Sequence, residues 1–211
     1  MDSVIYILFV AISVPIMLMT VLVEKKARFP LLFMLIGIFV SVFASEVNAL
    51  LLQMLGMDTY SVTVTVTPIT EELLKALPIL YYAMVISDKK EKLFTASMAT
   101  GIGFAVLENA YYLFDFSNFD MLTAVVRAFG AGLMHGMCTL LVGVGISFVK
   151  KKKKMFAVGT FGLLSTAIVY HGIYNILIQS EYSIVGALLP IATYIPFFIW
   201  RFLIKRRQNA A

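Results

Sequence analysis

The chain has 211 residues, 61% hydrophobic and 14% charged, with a net charge of +5 and a mean hydropathy of +0.92. A soluble domain carries roughly 45–50% apolar and about 25% charged residues, so a soluble globular fold is excluded. A nucleic-acid partner is excluded by position, since the basic residues sit in short clusters between apolar runs, as topology signals do.

Seven apolar segments follow in chain order, at about 4–23, 31–55, 59–87, 93–114, 121–149, 155–179 and 183–204. Each is long enough to cross a bilayer as a helix, which takes about 20 residues. The first lacks a charged leader and a small-residue cleavage site and is expected to be a retained helix. The third is long for one straight span. Pro68 and Pro78 bracket its charged centre, so a broken or re-entrant element is expected there, with protein or water covering the freed backbone. No polar stretch is long enough to fold apart, and residues 1–211 are read as one membrane-embedded domain.

The loops alternate in charge. Lys25, Lys26 and Arg28, then Lys89, Lys90 and Lys92, then Lys150 to Lys154, and finally Lys205 to Arg207 follow every second segment, whereas 56–58, 115–120 and 180–182 contain no Lys or Arg. The positive-inside rule then places the N-terminus outside and the C-terminus in the cytoplasm. The expected fold is all-α, a polytopic transmembrane helical bundle of about seven spans. The lysine run at 150–154 is read as a topology determinant rather than a lipid-binding patch.

Several ionisable residues fall inside the apolar segments: Glu46, Glu71, Glu72, Lys75, Glu108, Arg127, His135 and His171. Each costs at least about 2.5–3.5 kcal/mol at a bilayer centre, so a set of this kind is a functional site by default. Arg201 is near enough to the inner boundary to snorkel. Glu71 and Lys75 share a helix face and are placed to pair, while Glu72 is turned about 100° away. Gly101 and Gly103, preceding Glu108, let another helix approach. His171 and Asn175 present an imidazole and an amide on one face. At about 1.5 Å per residue, Glu71, Glu72 and His135 lie about 18–21 Å from the outer ends of their segments, and Glu108 and His171 about 9–12 Å. The set is expected to converge in the outer half of the membrane.

Carboxylates with imidazoles serve two hydrolytic chemistries. Three such ligands plus water make a catalytic Zn²⁺ site, or a buried glutamate acts as general base without metal. Asn175 is a candidate donor to the developing oxyanion. Arg127 is expected to pair with a buried carboxylate, Glu46 to be structural or pore-facing, and Cys138 to be a small buried hydrophobe rather than a nucleophile.

The motifs resemble those of the PrsW family of intramembrane proteases, relatives of the prenyl-protein endoproteases. Glu71-Glu72-Leu73-Leu74-Lys75 matches the family's EExxK, and Gly103-Phe104-Ala105-Val106-Leu107-Glu108-Asn109 its GFAxxEN stretch. Arg127 with His135 and His171 with Asn175 resemble the later motifs, so the likeness covers roughly 65–180. It implies a protease of the bacterial plasma membrane making the first, extracytoplasmic cut in a single-pass anti-sigma factor. It also implies Glu71 as the base, with Glu72 still open in that role, acting with Glu108, His135 and His171 to activate water, Asn175 as the oxyanion donor, and Lys75, Asn109 and Arg127 as supports. Glu108 stands where the prenyl-protease relatives have His, which leaves metal-free and Zn²⁺ mechanisms both open. If a metal is bound, Glu108, His135 and His171 are the expected ligands. Two other classes use intramembrane charges: a proton-coupled transporter, against which no inverted repeat is visible, and a non-catalytic scaffold, against which the complete residue set stands.

Overall fold

The computed structural model describes residues 3–115, 121–150 and 153–208. Lys151, Lys152 and residues 116–120 lie outside them, as do the side chains of Lys153, Arg201 and Lys205 to Arg207. Among the described residues the regular structure is entirely helical. The elements are α1 (Ser3–Leu22), α2 (Lys25–Leu55), a short α3 (Thr59–Ser61), α4 (Thr67–Tyr81), α5 (Lys90–Asp115), α6 (Met121–Ile146), α7 (Lys153–Ile178) and α8 (Ser183–Gln208). Ser3–Leu22, Lys25–Leu55, Ala124–Ile146 and Lys154–Ile178 are each long and apolar enough to cross a membrane. The protein is a multi-pass membrane helical bundle.

The expected break in the third segment does not occur. Helix runs without interruption from Thr59 to Ile86, with wide π-type turns at Val62–Val66 and Tyr82–Ile86. Pro68 explains the first. It has no N–H to give the Val64 carbonyl four residues back, and its ring would press on that carbonyl. Widening the turn relieves the contact, and the Thr67 amide bonds the Val62 carbonyl instead. Asp58 caps the start of this run by accepting from the Ser61 amide at 3.0 Å. Gly56, at φ 62°, ends α2 in the left-handed conformation, which glycine adopts without a Cβ clash.

α4 shows why the charged segments still belong in a bilayer. Ile69, Leu73, Leu77 and Tyr81 are exposed, four residues apart on one face. Glu71, Glu72, Lys75 and Ile79 are buried on the other. The apolar stripe thus faces outward and the charges face protein, the reverse of a soluble amphipathic helix.

α5 lies between α2 and α6. Gly103 meets the backbone of Met34 on α2, and Gly101 meets the carbonyl of His135 on α6, so close that a Cβ at either glycine would overlap those carbonyls. Two residues apart on a helix is about 200° of rotation. The pair therefore serves two opposite neighbours, where the sequence predicted one.

Candidate active site

The charged face of α4 sets the site's floor, and α5, α6 and α7 each supply one more ionisable group. Lys75 is fully buried. Its Nζ lies 2.6 Å from Glu72 Oε1, 2.8 Å from His135 Nδ1, and over the Phe104 ring at 4.6 Å. The expected pairing with Glu71 is thus replaced by one with Glu72, three residues away rather than four. An ammonium has three donors and no acceptor, so His135 accepts at Nδ1 and carries its proton at Nε2. That Nε2 stands 2.8 Å from Glu108 Oε2.

His171 is fixed the opposite way round. Its Nδ1 is 2.9 Å from Glu72 Oε1, and a carboxylate accepts, so Nδ1 donates and Nε2 keeps a bare lone pair. Nε2 is buried without a hydrogen-bond partner, as is Glu71 Oε2. The two unpaired atoms face each other at 3.8 Å. The imidazole rings meet edge to face, with centroids 4.8 Å apart. Unpaired buried polar atoms are costly, and here two acceptors stand together, an arrangement that a shared proton or a cation would satisfy.

The cavity, about 400 Å³, is lined by Glu71, Glu108, Phe104, Tyr112 and the polar face of α2. The structure brings Glu71, Glu72, Glu108, His135 and His171 together through their mutual contacts, and of the five Glu71 and Glu108 line the cavity. Asn175 sits a turn beyond His171, its Nδ2 donating to the Thr63 carbonyl at 3.0 Å. The π turn and Pro68 leave that carbonyl without its helical donor. Asn109 is buried. Arg127 lies over the Tyr112 ring, 4.2 Å from its centroid. Cys138 is buried and free. Glu46, which sequence motifs left aside, also lines the cavity and accepts from the Tyr6 hydroxyl at 2.7 Å. Its position in an apolar segment was the available signal. Nothing in the sequence indicated Tyr6 or the Thr63 carbonyl.

Glu71, His135 and His171 each present a ligand atom, all within 4.8 Å of one another. Zn²⁺ binds such donors at about 2.0–2.2 Å, so side-chain shifts of roughly an ångström would let one ion reach all three. The unpartnered Glu71 Oε2 and His171 Nε2 fit that purpose, and the Glu72 carboxylate behind His171 is the outer partner a ligating histidine normally has. The donor set fits Zn²⁺ with His135 binding through Nε2, once that nitrogen gives up the proton it now directs at Glu108. The three residues include Glu71, whereas Glu108, the carboxylate expected from sequence, is bonded to His135 Nε2 and lines the cavity.

A model of the PrsW family of intramembrane metalloproteases matches residues 25–201. No curated protein and no solved structure matches the chain. The match spans most of the sequence, and the chain belongs to this family of intramembrane proteases.

Proposed function

We propose that this PrsW-family protein cleaves a peptide bond of a single-pass membrane protein in the outer half of the bilayer. The substrate class is the anti-sigma factor, and the cut is the first of a regulated cascade in a bacterial plasma membrane. The observation that carries the reading is the facing pair of unpartnered atoms, Glu71 Oε2 and His171 Nε2, 3.8 Å apart, with Glu71 on the wall of the cavity. Seven spans, with the N-terminus outside and the C-terminus in the cytoplasm, give the cavity access from the extracytoplasmic side. The alternation of the loop lysines supports that orientation.

A Zn²⁺ ion held by Glu71, His135 and His171 would supply Lewis-acid polarisation of water. The chain's own residues do the rest. Glu72 holds His171 through Nδ1 so that Nε2 faces Glu71 Oε2. Lys75 holds His135 through its Nδ1. Glu71 Oε2 takes the proton of the attacking water. Where Glu71 is itself a ligand, Glu108 is the carboxylate left on the cavity wall to take it. Asn175 uses one amide hydrogen on Thr63, and its second is the proposed donor to the oxyanion. Asn109 and Arg127 support the walls.

Co-expression with a tagged candidate substrate tests the proposal. Wild type yields a cleavage product, and Glu71→Ala and His171→Ala each lower it at least about 100-fold, the scale of removing an acid–base group. Unchanged product from both variants sinks the assignment. Chelation followed by Zn²⁺ re-supply shows whether the ion is needed.

A further inference from the structure

Among the described residues three carboxylates line the cavity, those of Glu46, Glu71 and Glu108, and no lysine or arginine does. Two of the three are committed. Glu71 is buried, with Oε2 unpartnered, at the proposed reaction centre. Glu108 is bound to His135. Glu46 is different. Among the described residues its partner is the Tyr6 hydroxyl at 2.7 Å, which orients a carboxylate without neutralising it. Glu72, by contrast, has Lys75. A negative group on the wall of a low-dielectric cavity favours a cation entering it and opposes an anion.

The surrounding wall is built to hold position. The Asn48 side chain, also lining the cavity, accepts from the Thr70 hydroxyl, which ties α2 to α4 beside Glu46. Tyr6 comes from α1, and the family match begins at residue 25. The Tyr6–Glu46 pair therefore joins a helix outside the matched region to one inside it.

We infer that Glu46, held by Tyr6, forms a subsite that selects a lysine or arginine side chain of the substrate. This rests on the protease reading above. Glu46 precedes the end of α2 at Leu55 by nine residues, and Glu71 follows the start of α3 at Thr59 by twelve. At about 1.5 Å per residue Glu46 lies about 4–5 Å nearer the outer surface. An extended peptide advances about 3.3 Å per residue. The selected basic residue therefore sits one or two positions to the extracytoplasmic side of the scissile bond.

The test uses the full chain in liposomes with single-span reporter peptides carrying Lys, Ala or Glu at each of three positions on that side. The readout is the ratio of kcat/KM for Lys over Glu, which is internal to each preparation and independent of the fraction folded. Wild type is expected to favour Lys by about tenfold or more at one position, the effect of one close charge pair. Glu46→Gln brings the ratio to within about threefold, and Glu46→Lys inverts it. Tyr6→Phe, which frees the carboxylate to move, lowers it partway. If Glu46→Lys does not assemble, Glu46→Gln decides. A wild type that cleaves all peptides alike, or Glu46→Gln with the wild-type ratio, overturns the inference and leaves the protease intact. A wild type that cleaves none overturns both.

Discussion

Glu71 and Glu72 are adjacent, identical in type and both buried, yet their surroundings differ. Glu72 Oε1 receives both Lys75 Nζ and His171 Nδ1. Glu71 Oε2 receives nothing. The 100° between consecutive residues was legible in sequence and separates the two. Which one took the lysine was not, because the choice depends on His135, sixty residues away, holding the other side of Nζ. The division gives a prediction about metal. Glu72→Gln keeps an acceptor for His171 but removes the charge behind it, and loss of such a partner typically costs 10–100-fold in affinity. Competition against a chromophoric chelator is expected to show Zn²⁺ bound by Glu72→Gln, weakened by about that factor. Glu71→Gln, which loses a ligand, binds more weakly still. Equal affinities in the two variants would contradict the assignment of Glu71 to the ion and Glu72 to the histidine. Glu72→Ala is a poorer probe, since removing one partner of a buried ion pair costs about 3–5 kcal/mol in stability.

At the scale of one element, the segment bearing both glutamates was expected to break at its prolines. Pro68 does disturb the backbone, at the place the sequence indicated, but the helix continues. The carbonyl freed there is taken by Asn175 from α7, and Gly172 allows α7 close to the neighbouring Val64 carbonyl. A proline is visible in sequence, whereas the donor that satisfies the Thr63 carbonyl lies 112 residues from it. The same contact couples His171, one turn before Asn175, to the helix of Glu71. Asn175→Ala leaves the Thr63 carbonyl unpaired and is expected to destabilise the protein by about 1–3 kcal/mol. Pro68→Ala restores an N–H that lets the turn tighten, so the penalty of Asn175→Ala should shrink in that background. Thermal unfolding in detergent of the two single variants and the double gives the coupling, expected at about 0.5–3 kcal/mol. Strict additivity would mean that Asn175 does not serve the π turn.

For the whole molecule, seven apolar runs and a charged core were legible from composition and spacing. The order in which helices touch was not, since apolar faces in a bilayer carry little information about partners. The small residues of α5 carry what there is. Gly103 seats α2 and Gly101 seats α6 at the peptide of His135, so the histidine's position in the site is set by a backbone contact with the same helix that carries Glu108. Gly101→Ala must push α6 away. His135 would then withdraw from Lys75 and from Glu108, now each 2.8 Å distant. A displacement of about 1 Å at a reacting group costs on the order of 100-fold in rate. Gly132→Ala is the matched comparison, on α6 itself one turn before His135, where a Cβ meets nothing within 4 Å. In that helix alanine is favoured over glycine by about 0.8–1 kcal/mol, so Gly132→Ala should keep wild-type cleavage and melt no lower. Gly101→Ala should lose most of its kcat/KM, and a fully active, fully stable Gly101→Ala would show that the α5–α6 contact does not set the position of His135.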